Sequence, residues 1–471
     1  MFYFIDPFGC AKNQVDAETI MSRLNEAGWT AVDDPEAADL IIINSCGFIE
    51  AAKRESINAV LAWRNHYPEK KILLAGCLSQ RYRAELEETL NEADGLLSCD
   101  EVNDVSAKAA NLFGSAALDL PDIRPGSRPL LGFPGSAYVK ISEGCNNACS
   151  FCAIPLIRGG LRCRSIPDVL DECTALLDRG IKELCLIGQD ISSYEPGLAA
   201  LLNAIAGLPG RFWVRLLYLH PDHFPLDILD LPERDNRFLP YFDIPFQHAS
   251  PHILGAMGRT GSGESYLTLL DTIRRRLPGA VIRSTFLTGF PGETEDDFRL
   301  LLDFQQRARF DWLGVFTYSR EEGTSAYAMK NRVAKKTAAG RKARIEEAQI
   351  PITEEQMNRF VGQTMDVLVE EALSPAVLPP QNNSNSGGDN SDNNSGGDND
   401  EQEKFWLGRF FCQAPEVDGA AVIRISSGAD ELRPGSMVRG KVSGRAGFDL
   451  ECMVTSPVLE SSAVTSPVLE L

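Results

Sequence analysis

No apolar run in the chain approaches the roughly 18 residues that span a bilayer, so a membrane-spanning helix is not expected. Cysteine is too thin for a disulfide scaffold: the 471 residues hold 12. In a reducing compartment such a chain keeps thiols for metal binding or catalysis where they cluster. Positive charge is also short. With 46 Lys and Arg against 66 Asp and Glu the formal charge is -20, which opposes extensive phosphate contact because nucleic-acid binding draws on clustered cations. That weakens a nucleic-acid substrate without excluding it. The opening, Met1 to Ile5, has neither a basic n-region nor an Arg/Ser-rich presequence, so no export or organelle signal is expected and the cytoplasm is the expected address. What remains is ordinary for a soluble globular protein: 44% hydrophobic and 24% charged residues, in a length that suggests two to four domains.

Three of the cysteines do cluster. Cys145, Cys149 and Cys152 stand in C-x-x-x-C-x-x-C spacing just after an apparent strand, Ala137 to Ile141. A structural zinc wants four ligands, whereas a four-iron cluster held by three thiolates leaves one iron open to a substrate. A zinc knot completed by Cys163 is the alternative. Three more cysteines are placed by topology rather than spacing. Residues 1 to about 120 alternate short apolar strands (Phe2 to Ile5, Leu40 to Ile43, Ile72 to Leu74, Leu96 to Leu97) with helical periodicity, the pattern of a parallel sheet covered by helices. The first helix is read from Asn13, with Ala17, Ile20, Met21 and Leu24 on one face and Gly28 at its end. Cys10, Cys46 and Cys77 each follow a strand, at the carboxyl ends where such sheets gather ligand groups. Spacing alone leaves open whether they form a second three-thiolate site or are unrelated. Cys99, Cys173, Cys185, Cys412 and Cys452 read as small buried hydrophobes, and Cys163 is ambiguous.

Residues 121 to 135, rich in Pro and Gly, read as a linker. Six strand-helix units follow, with strands near Ala137 to Ile141, Glu183 to Ile187, Trp213 to Tyr218, Phe242 to Pro245, Val281 to Leu287 and Trp312 to Thr317. They predict an open partial (β/α)6 barrel with its site on the carboxyl-end face. Polar turns stand at several strand ends: Gly188, Gln189 and Asp190; Gln247 and His248; Gly289 to Thr294. Thr294 with Asp297 reads as a helix cap, and His248 as a core histidine rather than a catalytic one. Beyond Phe360, short alternating strands (Met365 to Glu370, Phe405 to Phe410, Ala421 to Ile425, Met437 to Val442, Asp449 to Val454) predict a small antiparallel barrel. A polar, acidic tract at 381–403, in which Asn-Ser-Gly-Gly-Asp-Asn occurs twice, interrupts it and is expected to be disordered. As a flexible loop it adds only about 1-2 kcal/mol of closure entropy, so its deletion is expected to leave folding and catalysis intact. Residues 457–471 are expected to be a loose tail.

Cys145, Cys149, Phe151 and Cys152 together resemble the cluster motif of the radical S-adenosylmethionine superfamily. The stretches around Cys10 (Phe8 to Asn13), Cys46 (Asn44 to Glu50) and Cys77 (Ala75 to Tyr82) resemble the amino-terminal motifs of the methylthiotransferase family. That resemblance implies a Rossmann-like domain over residues 1–120, a radical domain over 136–357 and a TRAM barrel over 358–456. It implies two 4Fe-4S clusters, one on Cys145, Cys149 and Cys152, the other on Cys10, Cys46 and Cys77 and supplying sulfur. It also implies S-adenosylmethionine contacts at Gly188, Gln189 and Arg283, and an external ferredoxin- or flavodoxin-like reductant. No side chain is singled out as catalytic.

Shorter stretches, among them Ala153 to Gly159, Gly289 to Thr294, Gly314 to Thr324 and Gln413 to Gly419, are most similar to the RimO-like branch. Its members methylthiolate an aspartate of small-subunit ribosomal protein S-twelve, the substrate thereby implied. The sister enzymes acting on tRNA adenosine share the machinery and are the nearest alternative; a non-enzymatic metal-stapled RNA or ribosome adaptor is the alternative of another class. The basic run Lys330 to Arg344 reads as a solvated helix face, with a ribosomal RNA contact through Lys335, Lys336 and Arg341 as the sharper alternative.

Overall fold

The computed structural model describes residues 1–116, 118, 120, 126–373, 404–425 and 432–456. The tract 381–403, the tail 457–471 and residues 121–125 of the expected linker lie outside the described residues. Two compact units divide the chain: Met1–Gly132 with Ser136–Thr353, and Phe133–Gly135 with Glu354–Leu471.

The first unit opens with β1 (Phe2–Pro7), α1 (Ala11–Glu26), β2 (Thr30–Ala31), β3 (Leu40–Ser45), α2 (Glu50–His66), β4 (Lys71–Gly76), α3 (Cys77–Arg81), α4 (Arg83–Thr89), β5 (Gly95–Ser98) and α5 (Val105–Leu112). The strands pair in parallel in the order β2-β1-β3-β4-β5. Every residue of β3 is buried, which is why its apolar run is continuous rather than alternating. Ile20 and Leu24 of α1 pack on this sheet, and Gly28 ends the turn at φ 82°. α1 begins two residues before the predicted start, because its first turn carries Lys12 and Asn13 rather than apolar residues.

The chain continues through β6 (Ser136–Lys140), β7 (Ser142–Glu143), α6 (Ile154–Arg158), β8 (Arg162–Cys163), α7 (Ile166–Asp178), β9 (Glu183–Ile187), α8 (Leu198–Ala206), β10 (Trp213–Leu216), α9 (Asp230–Arg234) and β11 (Phe238–Asp243). There follow α10 (Pro251–Ala256), α11 (Gly263–Arg276), β12 (Val281–Thr288), α12 (Glu295–Ala308), β13 (Trp312–Thr317) and α13 (Lys335–Asn358). Six parallel strands lie side by side in chain order, β6-β9-β10-β11-β12-β13, as the open barrel predicted. The fourth strand starts earlier than Phe242 because Pro240 sits inside it. An irregularity in the β10–β11 register between Val214 and Leu216 accommodates that residue. Phe246, Phe286, Phe304 and Phe310 pack together where α12 covers the sheet, and Arg215 and Glu183, both 0% exposed, form an ion pair between β10 and β9. Thr294 and Asp297 form the expected capping box on α12.

Two side chains correct the sequence reading. Arg341 is not on a solvated face: on α13 it shares the buried stripe of Ala338 and Ile345 and pairs with Glu293 at 3.1 Å, leaving Lys335 and Lys336 exposed. Arg128, inside the expected linker, is buried between Glu18 of α1 and Glu172 of α7.

In the second unit β14 (Thr364–Leu373), β15 (Lys404–Phe410), β16 (Ala421–Ile425), β17 (Met437–Ala446) and β18 (Asp449–Ser456) close a barrel in the order β14-β15-β16-β18-β17. Its pairs are antiparallel except β16–β18, which is parallel. Val367, Val369, Phe410, Ile423, Val438, Leu450 and Cys452 are buried. Among the described residues no helix is long and apolar enough to cross a membrane.

Candidate functional site

Because all strands of the first sheet run one way, their carboxyl ends share one edge, and the order reverses between β1 and β3, where such sheets open a crevice. Cys10 caps α1 beyond β1, Cys46 follows β3 directly, and Cys77 follows β4 directly. Asn13 organises them. Its Oδ1 stands 3.6 Å from Cys10 Sγ and 3.5 Å from Cys77 Sγ, while its Nδ2 donates to the Ser45 carbonyl at 2.8 Å. Glycine permits the crowding: a Cβ on Gly47 would lie 2.6 Å from the Cys77 carbonyl, and one on Gly76, at φ 96°, 2.6 Å from that of Ser45. Burial pushes the Cys46 thiol up to about 11, with the neighbouring Cys77 and Cys10 sulfurs adding to it. Cys77 goes the other way, to about 6, through a hydrogen bond from Cys99, whose sulfur lies 3.9 Å away, and through the Arg158 charge. Cys99 is thus buried, as read from the sequence, and also a neighbour of the trio; only the β4–β5 pairing reveals this.

Cys145, Cys149 and Cys152 occupy the loop between β7 and α6. The Asn147 amide donates to Cys145 Sγ and the Ile154 amide to Cys152 Sγ, each at 3.4 Å, and the Cys152 amide donates to the Cys149 carbonyl. Ser150 ties the loop to the end of α10 through Met257 and Ala256. Burial, with the Cys149 and Cys145 charges contributing, raises the Cys152 thiol to about 12. Sulfurs that repel one another out of water are stable as thiolates only with a bound cation, and backbone N–H donors aimed at sulfur suit that state. Among the described residues no three His, Cys, Asp or Glu side chains close around a point as one ion requires. A polynuclear cluster, in which each thiolate bonds its own iron, asks for wider spacing than a single ion does, and a three-thiolate donor set suits it. Cys163 stands apart on β8, its sulfur accepting the Glu195 amide at 3.4 Å.

A charge network that sequence reading missed ties Cys77 to the barrel strand ends that flank the second trio's loop. Arg158, at the end of α6, is 3% exposed; it donates to Cys77 Sγ at 3.1 Å, pairs with Asp16 at 2.7 Å and reaches Glu143 at 3.3 Å. Lys140 bridges Asp16 and Glu143, each at 2.7 Å. Burial alone would raise the Glu143 carboxyl, but Lys140 and Arg158 outweigh it and hold it at about 2. The signal was present only as Arg158 within a family-like stretch.

Gln189, past β9, donates to Glu143 at 2.7 Å, and its buried Oε1 has no hydrogen-bond partner; nor have Ser142 Oγ and His220 Nε2. Orphaned polar atoms at neighbouring strand ends suit a polar ligand. A Cβ on Gly188 would lie 2.5 Å from Ser142 Oγ, so internal packing already requires glycine there. Arg283, on β12, pairs with Asp243 at 3.1 Å. Asp190 accepts from Asn147 of the cysteine loop, Ser193 and His223; these bonds overcome burial and hold it at about 2. His248 is fully buried and neutral, its Nδ1 accepting the Ser250 amide, as a core histidine should be.

Three family models match: the uncharacterized protein family UPF0004 over residues 2–98, the radical SAM superfamily over 139–304 and the TRAM domain over 397–454. Among solved structures, the radical S-adenosylmethionine methyltransferase TsrM of Kitasatospora setae shares the fold at TM-score 0.53 and 16% identity, covering 80% of each chain. Relatives named ribosomal protein uS12 methylthiotransferase RimO are 42% identical in Treponema denticola, over 95% of this chain and 100% of that protein, and 37% identical in Aquifex aeolicus, over 94% of each. Likeness at that level, from the first strand through the last barrel, means that the chain belongs to the RimO family of ribosomal protein uS12 methylthiotransferases.

Proposed function

We propose that this chain is a radical S-adenosylmethionine methylthiotransferase that adds a methylthio group to the β-carbon of an aspartate in ribosomal protein uS12. The observation that carries the reading is the pair of three-cysteine sets in one compact unit, with Arg158 of the element that follows the second set donating to Cys77 of the first. Cys145, Cys149 and Cys152 would hold one 4Fe-4S cluster, and Cys10, Cys46 and Cys77 the other. When bound, the two clusters supply one-electron cleavage of S-adenosylmethionine and sulfur for insertion.

The chain's own residues bind, orient and exclude water. Gln189 would offer its unpartnered Oε1 to the ligand's ammonium, Gly188 close backbone approach, and Arg283 a cation fixed by Asp243. Asp190 fixes the cysteine loop to the end of β9 through Asn147. The reductant is a ferredoxin- or flavodoxin-like donor, and the site of action is the cytoplasm, where the substrate is made. A formal charge of -20 favours a basic ribosomal protein over tRNA. Mass spectrometry of uS12 and tRNA from a deletion strain tests the assignment: the methylthio increment should vanish from uS12 and stay on tRNA. Its loss from tRNA alone would move the chain to the sister activity.

A further inference from the structure

Lys12 lies two residues past Cys10, in the first turn of α1, and is 7% exposed. Its ammonium stands 3.1 Å from the centroid of the Tyr218 ring, and among the described residues it has neither an ion pair nor a hydrogen bond. The other cations of this region are matched: Arg158 and Lys140 by Asp16 and Glu143, Arg283 by Asp243. A ring face offsets only part of what an ammonium loses on leaving water, so a cation left this way is suited to an incoming anion.

Tyr218 places that cation on the barrel. It follows β10 with φ 70°, a conformation an aromatic residue keeps only when its surroundings impose it. They do: its amide donates to Asp243 Oδ2 at 3.3 Å and its carbonyl accepts the Ile191 amide at 3.1 Å. The charges of Lys12 and Cys10 both act on its phenol, so the ammonium, the first sulfur of the amino-terminal trio and the carboxyl ends of β9, β10 and β11 meet in one place.

We infer that Lys12 receives the carboxylate of the substrate aspartate and is the residue that selects a carboxylate over a neutral side chain. The inference rests on the uS12 reading above. In an aspartate the β-carbon is bonded directly to the carboxylate carbon. A cation that fixes the carboxylate therefore fixes the reacting atom one bond away, beside the trio proposed to supply sulfur. Lys12 here is a specificity-determining residue, donating hydrogen bonds and charge and taking no part in bond making.

The test uses the full chain, cluster-reconstituted and loaded with S-adenosylmethionine. Wild type, Lys12→Met and Lys12→Arg are titrated with two peptides of the uS12 loop, one carrying aspartate at the target position and one asparagine. Fluorescence anisotropy gives each Kd, and a redox titration followed by electron paramagnetic resonance gives the potential of the amino-terminal cluster. Wild type should prefer the aspartate peptide. Lys12→Met should weaken it by about ten- to a hundredfold and leave the asparagine peptide, iron content and potential unchanged, and Lys12→Arg should keep the preference. Equal weakening of both peptides would overturn the inference, as would a shifted potential with discrimination intact, which would make Lys12 a counter-charge for the cluster. If wild type binds neither peptide and leaves uS12 unmodified, the substrate reading itself falls and takes the inference with it.

Discussion

Arg158 is a guanidinium almost without solvent, whose partners are a thiol and two carboxylates. Removing one member of a buried charged set leaves the others uncompensated, which costs about 3–5 kcal/mol. Arg158→Met is therefore expected to lower the unfolding free energy by that order, read from denaturant titration, and to speed iron loss from the Cys10, Cys46 and Cys77 set. Lysine should rescue it only in part, because an ammonium cannot reproduce the guanidinium fork. His248 makes a second residue-scale prediction. Burial lowers its pKa from 6.5 to about 3, so the unfolded chain takes up a proton first as pH falls. The stability it contributes is fully present above pH 6.5 and is lost toward pH 3. His248→Asn, which keeps an acceptor for the Ser250 amide, should flatten the dependence of Tm on pH between about 6.5 and 4.

Among elements, α1 carries the most. One face lays Ile20 and Leu24 on the sheet, while Asp16 and Glu18 pair with Lys140 and Arg128 of the barrel side. Local pattern does not mark these polar residues as buried, because the surface that buries them comes from beyond residue 126. The loop after β13 makes the second clasp: Glu321, 2% exposed, accepts from Arg81 at 2.8 Å, from Lys53 at 3.1 Å and from the Glu50 amide at 2.9 Å. Burial would raise its carboxyl, but bonds from Ser319, Lys53 and Arg81 keep it below the ordinary range. In Glu321→Ala, hydrogen exchange should rise selectively over α2 and α3 and leave β9 to β12 protected. A uniform rise would mean that the clasp holds the whole unit rather than one docked edge.

At the scale of the molecule, two cysteine sets make iron a countable readout. Cys145→Ala and Cys46→Ala should each remove about half the iron, and the double variant nearly all of it. Deleting 381–403 should change neither number. The parallel sheet, the open six-stranded barrel, the small closing barrel and the position of Cys10, Cys46 and Cys77 just past strand ends were legible in the sequence. Strand periodicity, and cysteine position relative to strand ends, are local properties that a parallel topology converts directly into one shared edge. Tertiary structure alone decided which charges lie inside. Arg341, Arg128 and Arg158 look like surface cations until the carboxylates that bury them arrive from distant positions. Lys12 is distinguished by having no such partner among the described residues. Pairing between positions far apart in the chain leaves no trace in local pattern, because the energy that fixes it depends on which side chains the completed fold withdraws from water together.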